Sequence, residues 1–170
     1  MSFKILNTLK LAKVFAVLSF LMTNLCYGQW MKKCPEGGSV NCFVKNGTDL
    51  FAGTFGGVYK SSDNGATWTL SNSGIDILDI RCMLVTSSKI YAGSSGGIYS
   101  SSDGGANWSL CGFANKRIYA MVELNNTIFS INRNDWGVYK SIDGGVTWTF
   151  AGLDLLDVRS LHVEIGRAHV

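Results

Sequence analysis

An eight-residue phrase occurs three times in this chain, and its copies begin at residues 61, 101 and 141, so the period is 40 residues. The copies read SSDNGATW, SSDGGANW and SIDGGVTW, and they share a serine, an aspartate, a glycine and a tryptophan. A fixed period of this length is typical of proteins built from repeated units that bury their apolar faces against one another. A feature common to all copies is therefore expected to serve the fold, whereas function is expected where the copies differ.

Apolar segments on both sides of each phrase show the alternation that predicts β-strands. The Asp-x-Gly sequence between them predicts a hairpin turn, because glycine accepts a positive φ and aspartate can accept hydrogen bonds from nearby backbone N–H groups. The tryptophan is expected to pack over this hairpin. Two further apolar segments precede every hairpin, which gives four short strands per repeat. These segments begin at Val40 and Leu50, at Ile80 and Ile90, and at Ile118 and Ile128.

Four short strands per repeat, with no helical pattern between them, predict an all-β protein, a β-propeller of four-stranded blades. Three blades are expected at about 38–78, 79–115 and 116–156, and residues 158–163 would supply the first strand of a fourth. A propeller closes into a ring of typically 4–8 blades. We therefore expect residues 29–163 to be a partial propeller, an incomplete N-terminal fragment of the whole.

The shared pattern Ser-x-Asp-x-Gly-x-x-Trp resembles the Asp-box, also called the BNR repeat, over nearly the whole chain after residue 28. In that family the box forms the turn between the third and fourth strands of a blade, away from the axis where ligands usually bind. The resemblance therefore implies a structural role for the twelve box residues: Ser61, Asp63, Gly65, Trp68, Ser101, Asp103, Gly105, Trp108, Ser141, Asp143, Gly145 and Trp148.

The Asp-box relatives include sialidases, xyloglucan-active glycoside hydrolases, sortilin-like receptors and photosystem II assembly factors. The chain looks most like exported bacterial proteins with runs of such repeats. This resemblance implies a secreted or surface protein whose repeats form a scaffold for glycans or proteins.

The two ends of the chain are not expected to belong to the fold. Residues 1–28 have the pattern of a secretory signal peptide, with three lysines before an apolar core at 14–22 that is short for a membrane span. Residues 164–170 match the translation of a common sequencing adapter, and we interpret them as read-through. Of the 15 basic and 12 acidic residues, four and one lie in these ends, which leaves 11 of each. This neutral remainder predicts no nucleic-acid partner and no membrane partner.

Four cysteines follow the predicted signal peptide. Cys42 and Cys82 occupy the same strand position in successive repeats, which indicates small buried residues. Export would make disulfides possible, and a Cys34–Cys42 bridge is the one pairing that we consider. No spacing resembles a zinc site, and neither a metal nor a cofactor is predicted.

The third repeat differs most from the others, because its loop at 132–136 is two residues longer. Arg133, Asp135 and Trp136 in this loop are the candidate binding residues for a glycan or protein ligand, since a tryptophan ring can stack on a sugar and loops often carry function. In the alternative interpretation, Trp136 caps the blade.

Three functions stay open from the sequence. We favour a secreted, non-catalytic propeller scaffold that binds glycan or protein partners. The second is a sialidase-like glycoside hydrolase, in which three arginines would clamp a carboxylate; the alternative is that they are solvated strand ends. These arginines are Arg81, Arg117 and Arg159. The third is a propeller that assists the assembly of another protein.

The hydrolase would need paired carboxylates, which would lie in further blades or in the loops between blades. The loop candidates are Asp76, Asp79, Asp154 and Asp157. They recur in the same inter-blade loop, which favours a role in the turn, so no catalytic residue is assigned.

Overall fold

A computed structural model describes residues 39–132, 135, 137–153 and 160–161 of the chain. Within these ranges the structure contains twelve β-strands and no helix. The strands are β1 (Val40–Asn46), β2 (Asp49–Thr54), β3 (Gly57–Ser61), β4 (Thr69–Leu70), β5 (Ile80–Val85), β6 (Ile90–Ser94), β7 (Gly97–Ser101), β8 (Ser109–Gly112), β9 (Ile118–Leu124), β10 (Thr127–Asn132), β11 (Gly137–Ser141) and β12 (Thr149–Gly152).

The strands form three separate four-stranded sheets, in which each strand pairs antiparallel with the next along the chain. We call these sheets blade 1 (β1–β4), blade 2 (β5–β8) and blade 3 (β9–β12). This architecture confirms the prediction of an all-β propeller with four-stranded blades. The fourth strand of each blade begins one residue after the tryptophan, because the tryptophan itself belongs to the turn.

Several predicted segments lie outside the described residues. They are the signal peptide at 1–28, the C-terminal tail at 164–170 and most of the expected first strand of a fourth blade, of which only residues 160–161 are described. Within the described ranges, no helical segment reaches the length and hydropathy that a membrane crossing would need.

The hydrophobic core lies between the blades, where one sheet face packs on the next. Between blades 1 and 2, Phe51 and Val58 meet Ile80, Met83 and other apolar residues of blade 2. Between blades 2 and 3, a second cluster joins Tyr91, Ile98, Ile118, Met121 and Ile128. Because side chains alternate between the two faces of a strand, blade 2 contributes to both clusters.

Close approach of the blades depends on Gly53 in β2 and on Gly93, its counterpart in blade 2. A Cβ atom on Gly53 would lie 2.5 Å from Cys42 Sγ and 2.7 Å from Ile80 Cγ2, so no side chain fits there. The third repeat places Ile131 at this position. The residue opposite Ile131 is Ala120, which is smaller than the cysteine of the other blades and so offsets part of the extra volume of the isoleucine.

The first strand of each blade is its inner strand. The cysteines of the inner strands of blades 1 and 2 are half-buried thiols that pack against the core clusters, so they are less buried than their repeat position predicts. Burial raises the pKa of the Cys42 thiol to about 11, and it raises the pKa of Cys82 further. Cys42 is a free thiol at the blade 1–blade 2 interface, so the Cys34–Cys42 disulfide that we considered is not present in the structure. Cys34 itself lies outside the described residues.

Ser130 gives the first prediction, because its hydroxyl is buried without a hydrogen-bond partner. Blades 1 and 2 have Ala52 and Ala92 at this position. We expect Ser130→Ala to raise the free energy of unfolding by about 1 kcal/mol, since an unpaired buried hydroxyl is costly. Urea unfolding measures the change.

Ser94→Ala is the matched control for Ser130→Ala. Ser94 is equally buried, but its hydroxyl donates to Gly97 O at 3.1 Å. This control is expected to lower the free energy of unfolding by about 1 kcal/mol. A loss of stability in both variants would contradict the prediction.

Candidate functional site

Each eight-residue phrase forms a compact turn between the third and fourth strands, which we call a serine–aspartate turn. The serine hydroxyl donates to the aspartate Oδ1 at 2.7 Å in all three copies. The same hydroxyl accepts the N–H of the glycine four residues later, at 2.8 to 2.9 Å. The aspartate accepts the backbone N–H of the residue that precedes the tryptophan, at 2.8 to 3.0 Å. The carboxylate is therefore engaged inside the turn.

These hydrogen bonds favour the charged aspartate. For Asp103, the backbone N–H of Asn107 has the largest effect, followed by the side chains of Asn107 and Ser101, and together they lower the pKa from its usual 3.8 to about 2. The pKa values of Asp63 and Asp143 are also lowered to about 2. The shift indicates that the ionised carboxylate stabilises the turn.

A pH-dependent stability follows from this shift. Because the pKa of Asp103 is lower in the folded chain than in the unfolded chain, its contribution is fully present above pH 3.8 and is lost as the pH falls through about 2. We expect Asp103→Asn to lower the melting temperature at pH 7 and to lose most of that difference near pH 2. Thermal unfolding followed by circular dichroism across this range measures it. A difference that grows towards low pH would contradict the assignment.

The turns dock each blade onto the blade before it. Trp108 of blade 2 is only 3% exposed because it packs against Phe51 and Val58 of blade 1. Its Nε1 donates to Ser71 Oγ at 3.4 Å, and its backbone N–H donates to Ser73 O at 2.8 Å. Trp108 therefore packs on the neighbouring sheet, which the sequence did not predict, whereas the indole N–H of Trp148 donates to Gly145 O of its own turn at 3.0 Å, as expected for packing over the hairpin.

The residues that differ between blades lie at the strand ends opposite the serine–aspartate turns. We call these strand ends the opposite edge of the sheets. At this end, the first strand of each blade has one residue more than the strand with which it pairs. In blade 1, Val40 pairs with Thr54 and Cys42 with Gly53, so Asn41 is a β-bulge. Arg81 and Tyr119 are the bulged residues of blades 2 and 3. Bulges redirect side chains and are frequent beside functional sites. We call Asn41, Arg81 and Tyr119 the bulge row.

Side chains of the bulge row connect successive blades. Asn41 Nδ2 donates to Ile80 O at 2.7 Å. Arg81 Nη1 donates to the Tyr119 hydroxyl at 3.4 Å, and the guanidinium lies 5.2 Å from the centre of the Tyr119 ring. The row therefore presents an amide, a cation and an aromatic ring along neighbouring inner strands.

Asp79 compensates the charge of Arg81. Both Nε and Nη2 of Arg81 donate to Asp79 Oδ2, at 3.1 and 2.6 Å. The other carboxylate oxygen, Oδ1, is buried without a hydrogen-bond partner. Arg81 is thus neither a solvated strand end nor an unpaired cation. Arg117 precedes Ile118 and so takes the strand position of Asp79 rather than that of Arg81, and Arg159 lies outside the described residues. Within the described part of the chain, Arg81 and Arg117 therefore do not form a clamp of equivalent arginines.

The long loop of the third repeat begins beside the bulge row. Asn132, the last residue of β10, pairs with Ile118, which is next to Tyr119. Its Nδ2 donates to Asp135 Oδ2 at 2.9 Å, and Asp135 Oδ1 forms an ion pair with Lys116 at 2.7 Å. Of the three predicted binding residues, the structure therefore locates Asp135 at this edge. Arg133 and Trp136 lie outside the described residues.

The sequence pointed to Arg81 as a candidate residue. It did not point to Asn41 and Tyr119, which lie beside Arg81 in the bulge row. The available signal was the repeat alignment, in which the second residue of each inner strand varies while the residues around it stay apolar. Among the described residues, no group of three or more His, Cys, Asp and Glu side chains could hold a metal ion.

Solved structures share this fold. An ancestral GH74 enzyme is 24% identical to the chain, with a TM-score of 0.54 over 69% of this chain and 18% of that one. The GH74 enzyme of Niastella koreensis is 27% identical, with a TM-score of 0.52 over 67% of this chain and 21% of that one. The extracellular domain of BT4673, a putative one-component system of B. thetaiotaomicron, is 13% identical, with a TM-score of 0.59 over 75% of this chain and 18% of that one.

The chain spans about a fifth of the length of these three structures. No curated protein is significantly similar to it. The family model described as the DUF6242 beta propeller domain matches residues 37–161, which is most of the sequence and includes all three blades. This chain therefore belongs to the DUF6242 beta propeller family.

Proposed function

We propose that this protein is an exported, non-catalytic Asp-box propeller that binds a glycan at the edge formed by the bulge row and the third-repeat loop. The observation that carries the proposal is the bulge at the same position of three successive inner strands. Three bulges in register place variable polar and aromatic side chains together, while the rest of each repeat stays nearly constant.

The chemistry of the bulge row suits a sugar. Glycans offer hydroxyl groups, which both donate and accept hydrogen bonds, and apolar ring faces, which stack on aromatic side chains. Asn41 supplies an amide and Tyr119 supplies a ring. Arg81 makes a cation–π contact with the Tyr119 ring and forms an ion pair with Asp79. These contacts order this part of the site before a ligand binds.

The ion pairs at this edge favour binding over hydrolysis. Glycoside hydrolysis needs one carboxylic acid that donates a proton and a second carboxylate as base or nucleophile. Asp79 is bound to Arg81 and Asp135 to Lys116, so each of these two carboxylates neutralises a neighbouring cation, while Asp76 is exposed. Asp154 and Asp157 lie outside the described residues.

The structural neighbours support a glycan as the ligand and an exported location for the protein. GH74 enzymes are among the structural neighbours, and glycoside hydrolases are among the Asp-box proteins that the turns resemble. The BT4673 neighbour is an extracellular domain, which agrees with the signal peptide predicted at residues 1–28.

Affinity gel electrophoresis of the full chain tests the proposal, with xyloglucan, arabinoxylan and galactomannan as the soluble probes. We expect at least one of these polysaccharides to retard the protein. Tyr119→Ala should weaken that binding about tenfold, because a stacking contact contributes on the order of 1–1.5 kcal/mol.

Ile142→Ala is the matched control, since Ile142 is exposed on the serine–aspartate turn of blade 3, away from the bulge row. It should bind like the unchanged protein, and melting temperatures check that both variants are folded. Migration unaffected by all three polysaccharides would overturn the proposal. Release of reducing sugar ends would favour the hydrolase instead.

A further inference from the structure

An exposed phenylalanine lies at the same edge of the sheets as the bulge row. Phe55 occupies the hairpin between β2 and β3, and it is 53% exposed. The residue before it, Thr54, pairs with Val40, which immediately precedes the bulged Asn41. Because paired strands lie about 5 Å apart, the Phe55 hairpin adjoins Asn41 at the strand ends where we place the glycan.

The hairpin does not need an aromatic residue at this position. The Thr54 hydroxyl donates to the carbonyl three residues later and accepts the N–H two residues later, both at 2.9 Å. Ser94 forms the same two hydrogen bonds in blade 2, at 3.1 and 2.9 Å. The next residue is Phe55 in blade 1 and Ser95 in blade 2. Since a serine serves this hairpin as well, the turn does not account for the ring of Phe55.

The exposure of this position follows from its place at the strand ends. Blade 2 has a described blade on each side, and Ser95 and Gly96 at the tip of its hairpin are nevertheless partly exposed. The blade 1 hairpin is also fixed by the connection that follows β4, because Asn72 accepts the Val58 N–H at 2.7 Å and donates to Gly56 O at 3.3 Å. The ring therefore lies on an ordered turn, which limits the entropy lost when a ligand binds.

We propose that Phe55 is a second stacking position of the glycan site, and that the ligand is a polysaccharide chain bound over several consecutive sugars. The inference rests on the proposed function and specifies its class of ligand. Packed sheets lie about 10 Å apart, so Phe55 on blade 1 and Tyr119 on blade 3 are separated by more than the width of one sugar ring. An internal segment of a polysaccharide can contact both rings, whereas a single terminal sugar cannot.

The residues between the two rings suit the middle of such a chain. Asn41 is exposed, and its amide oxygen can accept a hydrogen bond from a sugar hydroxyl. Arg81 continues the row to Tyr119, whose hydroxyl accepts its Nη1 at 3.4 Å. Phe55 and Tyr119 strengthen binding together only when one ligand reaches both, so the affinity should depend on the length of the glycan.

Isothermal titration calorimetry of the full chain tests the proposal. The probes are xyloglucan, arabinoxylan and galactomannan, each cut enzymatically into fragments of about two and about six backbone sugars, shorter and longer than the spacing of the two rings. We expect the longer fragment of a bound polysaccharide to bind more tightly than the shorter one. Phe55→Ser should weaken binding of the longer fragment about tenfold, because one stacking contact is lost. It should leave the shorter fragment almost unaffected, because Tyr119 still binds it.

Two control variants accompany Phe55→Ser. Phe55→Tyr retains an aromatic ring and should bind like the unchanged protein. Leu124 is 46% exposed at the end of β9 nearest the serine–aspartate turns, and Leu124→Ala should also leave binding unchanged. Phe55→Ser introduces the residue that blade 2 has in the same hairpin, so the blade stays folded, and circular dichroism checks this.

The results distinguish this inference from the proposed function. If none of the polysaccharides binds, the proposed function fails and the inference fails with it. If Tyr119→Ala weakens binding but Phe55→Ser does not, only the inference is overturned. The same holds if the longer fragment binds no more tightly than the shorter one, or if Phe55→Tyr loses as much affinity as Phe55→Ser.

Discussion

Replacing Trp108 with alanine is expected to lower the free energy of unfolding by about 3–5 kcal/mol, the range for large aromatic residues removed from a core. Trp108 is almost fully buried between blades 1 and 2, and its indole N–H donates to Ser71 Oγ. The variant loses apolar contact with Phe51 and Val58 and leaves a cavity at the interface. Urea unfolding followed by circular dichroism measures the change.

The sequence provides a matched control in Trp68, which occupies the same place in the turn of blade 1. Trp68 is partly exposed and contacts Phe43 of its own blade, with no preceding blade among the described residues to cover it. We expect Trp68→Ala to cost only about 1 kcal/mol. If the two variants were equally destabilised, the tryptophan would stabilise its own turn, and its role in docking blades would be refuted.

Replacing Gly74 with alanine is expected to cost about 3 kcal/mol or more. Gly74 lies in the connection between blades 1 and 2 with φ +87, where an L-residue is strained by about 1–2 kcal/mol. A Cβ atom would also lie 2.1 Å from the backbone oxygen of Trp108, which cannot move without breaking the interface. Overpacking of this kind adds about 1–3 kcal/mol.

Gly47→Ala separates these two effects. Gly47 has a φ of +60 in the β1–β2 turn, but no atom lies within 4 Å of the position that a Cβ atom would occupy. We expect a loss of about 1 kcal/mol, which represents the backbone strain alone. The same urea unfolding experiment compares the two variants, and an equal effect at both glycines would show that the Trp108 backbone yields easily.

The two predictions concern one interface, in which residues far apart in the sequence meet. Trp108 and the loop around Gly74 are fixed by each other, since the Trp108 N–H donates to Ser73 O and its indole N–H donates to Ser71 Oγ. Stability of the propeller therefore depends on nearest-neighbour contacts between blades as much as on the sheets themselves.

The candidate site could be predicted only in part. The loop of the third repeat is visible in the sequence because it is longer than its counterparts, and the structure locates its Asp135 beside Lys116. The bulge row was not predicted, because a bulge is a property of strand pairing, and the pairing partner of Tyr119 is not evident from the residues around it. The pairing of Arg81 with Asp79 was missed for the same reason, as a bulge decides where the arginine side chain is directed.

The sequence by itself determined the number of strands in each repeat, the antiparallel hairpins and the chemistry of the serine–aspartate turns. These features depend on residues within one repeat, and the same pattern occurs in all three repeats. Only the tertiary structure decided that Trp108 packs on the preceding blade and that Gly53 must lack a side chain. It also brought Asn41, Arg81 and Tyr119 into one row. The physical reason is that these contacts join residues of different repeats, whose meeting depends on how one sheet stacks on the next.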